Sequence, residues 1–405
     1  MEQHDVVIVG AGQAGLAMSW HLARRGVVHV LLERGQVGER WRTARWDSLA
    51  FQLENRTLEL PGKVYDGDDP AGFAGHAEIL RFITDYAALI GAPVRPQTAV
   101  LELRRTTTGY LLNTTQGPME ARRVVIATGP FHEPKVPSFA AALPTTIFQT
   151  DAVRYKSPAS LPPGAVLVVG SGSSGTQIAE ELLGVGRKVF LSVGRHRYTP
   201  RRYRGRDVIW WLDALGRLDM TIDEFPDRAC PPPGVLTGAG GGRDLFPRLL
   251  ATRGAVLLGR ITGCADGVLD VAGDMNKILA DADKSCLDFL AAADALATAQ
   301  GLELATGTWA APASGDLPVL TKLDLAAESI GTVIWATGYR SDYAWVKLPL
   351  FDGRGEPVQA RGVSSCPGVY FLGLQFMHNF RSGLLSFVQR DAEYIAEHIT
   401  ATMSA

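Results

Sequence analysis

The sequence lacks a closely spaced pair of cysteines. Its 405 residues include four: Cys230, Cys264, Cys286 and Cys366. Enzymes that pass electrons through a dithiol need two neighbouring thiols, and zinc sites have their own short ligand spacings. Because neither pattern is present, the sequence excludes a dithiol disulfide reductase and predicts no metal site. We expect four reduced, structural thiols, as in an intracellular protein.

Long apolar runs and an excess of one charge are also missing. No apolar run reaches the roughly 18 residues that a membrane-spanning helix needs. Lys and Arg number 40 against 42 Asp and Glu, a net charge of −2, so no overall field favours nucleic acid or a membrane surface. The first strand begins by residue 5, without the basic region or cleavage site of a signal peptide. These absences predict a cytoplasmic protein without nucleic-acid or membrane partners.

Two copies of G-x-G-x-x-G stand out in what is present. The first, Gly10–Gly15, follows the apolar run Val6–Val9, and the second, Gly170–Gly175, follows Ala165–Val169. At a strand-to-helix turn, such glycines permit a tight turn and close approach of the backbone to a pyrophosphate, which then faces the helix N-terminus. Two such turns predict two dinucleotides, with electrons passing from one to the other.

The two copies differ where a ribose would bind, at the end of the next strand. The first is followed by Glu33, whose carboxylate accepts hydrogen bonds from ribose hydroxyls and repels a 2′-phosphate; this suits FAD or NAD. The second is followed by Arg195, with Arg201 and Arg202 close behind. Guanidinium groups bind phosphate through charge-assisted hydrogen bonds. The second site is therefore predicted to prefer NADPH to NADH.

A further repeat supports a duplicated α/β architecture. The apolar strand before Ala127-Thr128-Gly129 has a counterpart before Ala336-Thr337-Gly338. We predict two Rossmann-like dinucleotide-binding domains: a discontinuous FAD domain, 1–160 plus 336–405, and an inserted NADPH domain, 161–335. The NADPH domain is expected to carry a helical insertion at about 274–300.

Periodicity predicts three further helices and a β-meander. The helices cover 77–90, 275–300 and 386–399, and the meander begins near residue 99. The apolar face predicted for 275–300 comprises Ile278, Leu279, Ala282, Leu287, Leu290, Ala291 and Leu296. The inward face predicted for 386–399 comprises Val388, Ala392, Ile395 and Ile399.

Taken together, these motifs resemble class B flavoprotein monooxygenases of the flavin-containing monooxygenase superfamily. The likeness is greatest to CzcO-like and YUCCA-like NAD(P)/FAD-dependent oxidoreductases and covers nearly the whole chain. It rests on Gly10–Gly15, Glu33, Val37–Trp41, Gly170–Gly175 and Ala336–Tyr339. The resemblance implies hydride transfer from NADPH to FAD, addition of O2 as a C4a-(hydro)peroxide, and delivery of one oxygen atom to a small organic substrate.

The resemblance also assigns cofactor residues. The FAD pyrophosphate falls to Gly10, Gly12, Gln13, Ala14 and Gly15, and the adenosine ribose to Glu33. Arg40 and Trp41 lie beside the flavin, and the Val100 backbone meets the adenine. The NADPH pyrophosphate falls to Gly170, Gly172, Ser173, Ser174 and Gly175, and its 2′-phosphate to Arg195 with Arg201 or Arg202. The remaining predicted cofactor residues are Arg34, Thr128, Gly129, Thr337, Gly338, Gly373 and Leu374.

The chain departs from the family pattern at three places. The glycine and histidine of the monooxygenase fingerprint are missing between Phe139 and Asp151, with Thr150 at the histidine position, so ketone-to-ester chemistry is not favoured. Gln52 replaces an active-site Asn. Related disulfide reductases have a ribityl-binding Asp after a glycine, where this chain has Gly373-Leu374.

No acid–base dyad is evident, and four residues are candidates for the catalytic site. Gln52 is expected to donate an amide hydrogen bond near flavin or nicotinamide. His378, Asn379 and Arg381 lie in the predicted C-terminal flavin loop, where Arg381 is a candidate ligand for a substrate carboxylate. Two alternatives stay open: an NADPH oxidase or diaphorase that reduces O2 or a quinone, and a non-catalytic flavin-binding regulatory protein. The substrate is open, and a homodimer is compatible with the fold.

Overall fold

The computed structural model describes residues 2–225, 231–232, 234–306, 309 and 315–403. Cys230 lies outside the described residues. Strands in chain order are β1 (Glu2–Val9), β2 (His29–Leu32), β3 (Glu59–Leu60), β4 (Lys63–Val64), β5 (Val94–Arg95), β6 (Val100–Arg105), β7 (Tyr110–Thr114), β8 (Gly117–Ile126), β9 (Glu133–Pro134), β10 (Phe148–Asp151), β11 (Ala165–Val169), β12 (Val189–Ser192), β13 (Arg202–Tyr203), β14 (Arg206–Asp207), β15 (Val256–Leu258), β16 (Ile261–Ala265), β17 (Val268–Val271), β18 (Lys322–Asp324), β19 (Ile330–Trp335), β20 (Tyr339–Arg340), β21 (Gln359–Ala360), β22 (Val363–Ser364) and β23 (Val369–Phe371).

Helices are α1 (Gln13–Arg24), α2 (Glu39–Thr43), α3 (His76–Leu89), α4 (Ser173–Gly184), α5 (Val208–Ala214), α6 (Ala239–Gly242), α7 (Pro247–Thr252), α8 (Met275–Ala299) and α9 (Gln389–Met403). Among the described helices, none is both long and apolar enough to cross a bilayer.

The first sheet is built around β1, whose C-terminal half, Val6–Val9, is buried. Its order is β21-β22-β23-β8-β1-β2-β5, and the β6–β7 hairpin of the predicted meander is attached through β7 to β8. Val7 of β1 pairs in parallel with Val30 of β2 on one side and Val124 of β8 on the other. Because β23 pairs in parallel with β8, the C-terminal part of the chain returns to this sheet.

The second sheet is wholly parallel, in the order β10-β19-β11-β12-β15. Strand β10 precedes the domain boundary that we predicted at residue 160, yet it pairs with β19, Phe148 opposite Thr332. The Pro-rich segment before Gly164 is therefore a connection within the second unit. The predicted α/β fold class, with two Rossmann-like sheets, is confirmed.

Helix α8 confirms the predicted helical insertion but has a different buried face. Its buried residues are Met275, Ile278, Leu279, Ala282, Cys286, Phe289, Ala293 and Ala297. Leu287, which we placed on the apolar face, is 56% exposed, and Ala291 is exposed too. The prediction holds for Ile278, Leu279 and Ala282 and fails at Leu287 and Ala291, because the helix packs along a regular i, i+3, i+4 stripe that also includes Cys286, Phe289 and Ala293.

Helix α9 closes the first unit against α1. Its inward face is as predicted, because Ala392, Ile395 and Ile399 are fully buried and Val388 is 1% exposed. All four belong to the same apolar cluster as Leu16 of α1. This packing holds the C-terminal segment beside the helix that follows the first glycine turn.

A pair of short strands and the side chain of Trp46 are among the contacts that join the two units. Strand β9 pairs antiparallel with β20, and the Lys135 N–H donates to the Gly338 carbonyl at 2.9 Å. Trp46, in the first unit, is only 5% exposed and packs in the core around Val166 of the second sheet. Trp46 therefore holds its part of the chain against the second unit.

Candidate dinucleotide and flavin site

The first glycine turn has no room for side chains at its outer glycines. Gly10 has φ +108°, and a Cβ there would lie 2.6 Å from the Ala127 carbonyl oxygen. A Cβ on Gly15 would lie 1.9 Å from the Gly10 carbonyl oxygen. These two glycines are required by packing: they bring α1 against the turn and the turn against the end of β8.

Gly12 is different, because a Cβ there would meet no atom within 4 Å. It is the N-cap of α1, with φ −86° and ψ −173°, an ordinary extended conformation. The following residues, Gln13, Ala14 and Gly15, begin α1 and leave its first N–H groups directed at this open space. The turn therefore fits a pyrophosphate that approaches closely over Gly12, as predicted for FAD.

Glu33 lies at the end of β2 and is held in place by the backbone. Its two carboxylate oxygens accept hydrogen bonds from the Ala11 N–H at 2.9 Å and the Gly35 N–H at 3.0 Å. The residue is 8% exposed. Each carboxylate oxygen retains a lone pair for a ribose hydroxyl. This fixed negative charge suits a ribose with free hydroxyls and opposes a 2′-phosphate.

The predicted adenine end of the site also lies near Glu33. The Thr98 N–H donates to the Glu33 carbonyl at 2.8 Å, which places Val100 two residues further, at the start of β6. Arg34 follows Glu33 and is exposed. The structure thus groups Glu33, Arg34 and Val100 at one end of the first turn.

The second glycine turn repeats the packing of the first. Gly170 has φ +111°, and a Cβ there would lie 2.4 Å from the Ala336 carbonyl oxygen; a Cβ on Gly175 would lie 1.9 Å from the Gly170 carbonyl oxygen. In both units the small alanine of Ala-Thr-Gly packs on the first glycine of the turn. Close packing therefore explains the paired tripeptides.

Residues at the N-terminus of α4 have distinct roles. The N-cap is Gly172, followed by Ser173, Ser174 and Gly175. The Ser173 hydroxyl donates to the Gly234 carbonyl at 3.0 Å, so its side chain fixes a neighbouring loop. What the turn offers a phosphate is the set of backbone N–H groups at the start of α4.

The three arginines predicted to bind a 2′-phosphate have separate positions. Arg195 is exposed, three residues after β12 ends. Arg202 is 53% exposed and lies 3.8 Å from Glu54. Arg201 is 2% exposed, and its Nε donates to Asp207 at 2.7 Å. The prediction for Arg201 was wrong because the guanidinium is buried and paired, so Arg195 remains the fitting candidate.

Arg201 instead links the second unit to the segment carrying Gln52. Its Nη1 donates to the Gln52 carbonyl at 2.7 Å, and its guanidinium lies over the Phe73 ring, 4.5 Å from the centroid. Burial lowers its pKa, and Asp207 opposes this shift. The Phe51 N–H donates to the Ala74 carbonyl at 2.7 Å. The Gln52 backbone is therefore fixed by both units, and its side chain is partly buried.

The C-terminal loop reaches the first glycine turn. A Cβ on Gly373 would lie 2.8 Å from the Ala14 Cβ, so the loop passes directly over the start of α1, with Leu374 partly buried beside it. His378 is exposed. It lines a polar cavity of about 280 Å³ with Asp219, Arg361, Asn379, Arg381 and Ser382 among the lining residues.

Arg381 and Asn379 serve structural roles in this loop. Arg381 is 7% exposed, donates to Asp219 at 2.8 Å and 2.9 Å, and also pairs with Asp213. The Asn379 side chain accepts from the Arg381 N–H at 3.1 Å. The hypothesis that Arg381 binds a substrate carboxylate is corrected, because two carboxylates of the second unit already occupy its guanidinium. With the Phe380 N–H donating to the Met220 carbonyl at 3.1 Å, these contacts form a clasp between the units.

Helix α2 brings Arg40 and Trp41 to the first turn. The Gly38 N–H, at the N-cap of α2, donates to the Ala11 carbonyl at 3.1 Å. The Trp41 ring is partly buried and lies edge-on to Phe51, 6.5 Å between centroids. Arg40 donates to the His132 carbonyl at 3.0 Å. Both residues thus lie between the first turn and the segment carrying Gln52, and their position beside the flavin stays a prediction.

Threonines of both Ala-Thr-Gly repeats hold the crossing strands. The Asp342 N–H donates to His132 Nδ1 at 2.8 Å, which leaves Nε2 to carry the proton and donate to the Thr128 hydroxyl at 3.1 Å. Burial and Arg40 lower the pKa of His132, which favours this neutral form. The Thr337 hydroxyl donates to the Lys135 carbonyl. The cofactor contacts that remain possible here are those of the Gly129 and Gly338 backbones.

The sequence reasoning missed one residue of this region, Arg45. Its guanidinium lies over the Trp41 ring, 4.8 Å from the centroid, and it is partly buried. The available signal was a cation directly before Trp46, within the segment that both units hold.

Comparisons with known proteins agree with this architecture. A family model described as pyridine nucleotide-disulphide oxidoreductase matches residues 7–214. The chain belongs to this family. It is 31% identical to a CzcO-like oxidoreductase of Geobacillus kaustophilus over 98% of both chains. It is 29% identical to the indole-3-pyruvate monooxygenase YUCCA1 of Oryza sativa subsp. japonica, over 89% of this chain and 82% of the relative.

Solved structures share the fold. A flavin-containing monooxygenase from Stenotrophomonas maltophilia superposes with a TM-score of 0.68 at 19% identity, covering all of both chains. A complex of OTEMO with FAD and NADP superposes with a TM-score of 0.59 at 13% identity, over 99% of this chain and 86% of the other. The chain is thus an enzyme, an oxidoreductase that is similar to flavin-containing monooxygenases, and the description of its family names a pyridine nucleotide.

Proposed function

We propose that this enzyme is an NADPH-dependent FAD monooxygenase that transfers one atom of O2 to a small organic substrate. The observation that carries the proposal is the difference between two otherwise matched turns. A fixed carboxylate, Glu33, follows the first, and an exposed guanidinium, Arg195, follows the second. Opposite charges shortly after the two corresponding strands, β2 and β12, suit FAD at one turn and NADPH at the other.

Bound FAD would supply the redox chemistry, accepting a hydride from NADPH and activating O2. The chain's own residues would bind the two cofactors and orient them. The N-termini of α1 and α4 would hold the two pyrophosphates, and Glu33 and Arg195 would select the two riboses. Arg201 fixes the Gln52 carbonyl, and the Arg381 clasp holds the C-terminal loop against the first turn. These contacts would hold the segments around the bound cofactors in place, and a site closed to water would favour transfer of oxygen over release of peroxide.

The cysteines support oxygen rather than a disulfide as the electron acceptor. Although the family model takes its name from disulphide chemistry, the three described cysteines are all free. Cys286 is 1% exposed, and burial raises its pKa to about 12. A buried neutral thiol is a poor nucleophile.

The experiment compares two nicotinamide dinucleotides and accounts for the electrons. The FAD-loaded enzyme is reduced with NADPH or NADH, and peroxide released per NADPH is measured in air with trial substrates, including indole-3-pyruvate, the substrate in the name of the rice relative. We expect NADPH to reduce the flavin at far lower concentrations than NADH, and a substrate to lower the peroxide yield. One peroxide per NADPH with every substrate would instead indicate the oxidase alternative.

A further inference from the structure

Two arginines near the Trp41 ring have no carboxylate partner. Arg40 donates to the His132 carbonyl at 3.0 Å, and Arg45 donates to the carbonyl of its own neighbour Ala44 at 3.1 Å. Both are partly buried. No ion pair of either arginine occurs within the described part of the chain, and most of their N–H donors are unused.

The pair lies between the two dinucleotide turns. Arg40 belongs to α2, whose N-cap Gly38 is bonded to the first turn. Arg45 lies near Tyr339, the residue after the Ala-Thr-Gly that packs on the second turn. The reactive ends of two dinucleotides, one on each turn, would meet in this region.

The backbone around Arg45 is fixed before any ligand arrives. Lys156 Nζ donates to the carbonyls of Thr43 at 2.6 Å and Arg45 at 2.8 Å, and the Asp47 N–H donates to the Lys156 carbonyl at 2.9 Å. Trp46 is anchored in the core of the second unit. Such a fixed position lowers the entropy cost of binding a ligand.

The surroundings of the two guanidinium groups disfavour their positive charge. Burial lowers the pKa of Arg45, Tyr339 opposes this shift, and Arg40 adds to it. Burial and Arg34 lower the pKa of Arg40, and Tyr339 again opposes the shift. Partly buried charge without a counter-charge costs free energy, which the Trp41 ring offsets only in part. An anion at this position would remove the cost, because guanidinium binds oxyanions with charge-assisted hydrogen bonds.

We propose that Arg40 and Arg45 form an oxyanion site at the junction of the two units, with Arg45 as its principal ligand. The ligand chemistry is a phosphate or a carboxylate. A dinucleotide would supply the phosphate, and a substrate acid would supply the carboxylate. The proposal deepens the proposed function and rests on its placement of the dinucleotides, but its test measures binding, which does not depend on whether the enzyme transfers oxygen or only makes peroxide.

The test compares Arg45→Gln with Arg42→Gln in the FAD-loaded enzyme. Arg42 is an exposed arginine three residues before Arg45, on the short helix α2 that also carries Arg40, which makes it a matched control. Three quantities are measured: the FAD retained on purification, the dissociation constants of NADP⁺ and phenylacetate by calorimetry, and the midpoint of thermal unfolding without added probe. Loss of a charge-assisted hydrogen bond corresponds to about 10–100-fold weaker binding.

We expect Arg45→Gln alone to weaken one ligand class by that factor. Weaker NADP⁺ or FAD binding identifies a phosphate, and weaker phenylacetate binding identifies a carboxylate. We also expect the unfolding midpoint of Arg45→Gln to be unchanged or higher, because an uncompensated charge is removed. The proposal fails if both variants bind all three ligands equally. It also fails if Arg45→Gln lowers the midpoint and weakens every ligand, since Arg45 would then be structural.

Discussion

Two glycines of the first turn, Gly12 and Gly15, should respond differently to the same small change. Gly12→Ala places a methyl group where no atom lies within 4 Å, in a conformation that alanine adopts freely. Alanine is a poorer N-cap than glycine, so the cost to folding is about 0.5–1 kcal/mol. Gly15→Ala places its methyl 1.9 Å from the Gly10 carbonyl oxygen. Since backbone must move to relieve this contact, we expect a cost near the upper end of about 1–3 kcal/mol.

FAD binding should respond strongly to Gly12→Ala, the variant with the smaller expected cost to folding. The Gly12→Ala methyl would stand where the pyrophosphate approaches α1, so it should remove about one hydrogen bond to a charged group, roughly 1.5–3 kcal/mol. That corresponds to about 10–100-fold weaker FAD binding. The assays are urea unfolding and titration of the flavin-free protein with FAD, followed by flavin fluorescence. The reasoning is refuted if Gly12→Ala binds FAD as tightly as the native chain, or if it unfolds as readily as Gly15→Ala.

Three further predictions concern charge. Arg195→Gln should raise the KM for NADPH about 10–100-fold and leave the KM for NADH unchanged, whereas Arg202→Gln should alter neither KM. Steady-state kinetics with both dinucleotides measure these values. Equal effects of Arg195→Gln on the two KM values would contradict the assignment of the 2′-phosphate to Arg195. Replacing Asp213 and Asp219 together by Asn leaves buried Arg381 without its ion pairs and should lower the free energy of unfolding by about 1–3 kcal/mol. This is less than for a fully buried pair, because both aspartates are half exposed. Urea unfolding measures the change, and an unchanged midpoint would show that the clasp does not stabilise the fold. Burial lowers the pKa of His21 to about 4 from 6.5, so the folded protein favours the neutral ring. The free energy of unfolding should therefore fall as pH drops from 6.5 towards 4. His21→Gln should make this fall less steep, and an equally steep fall in the variant would show that other groups cause it.

Local patterns predicted most of the fold. The glycine turns, the parallel strands before them and the α9 face follow from short-range rules, because turn conformation and helical periodicity depend on neighbouring residues. The α8 face was harder, since Cys286, Phe289 and Ala293 are selected by the core that they meet and not by size alone. The position of β10 in the second sheet depends on pairing with β19, nearly 200 residues away, which no local pattern records.

The residues of the candidate site also fall into two groups, those that local patterns could locate and those that they could not. Residues that act through the backbone of a turn, such as Gly12 and Gly172, could be located from the motif. Side chains whose partners come from elsewhere could not. Arg201 and Arg381 resemble free cationic ligands in the sequence, yet Asp207 and Asp219 pair with them in the fold. Arg45 was missed because its lack of a partner becomes visible only when the surroundings are known.

Rapid mixing of the NADPH-reduced, FAD-loaded enzyme with oxygenated buffer tests the central claim most directly. The account predicts that an absorbing species distinct from both oxidised and reduced flavin forms and persists while NADP⁺ stays bound, and that an oxidisable substrate shortens its lifetime. Immediate return to oxidised flavin, with one peroxide released per NADPH and no effect of substrate, would contradict oxygen transfer and leave an NADPH oxidase.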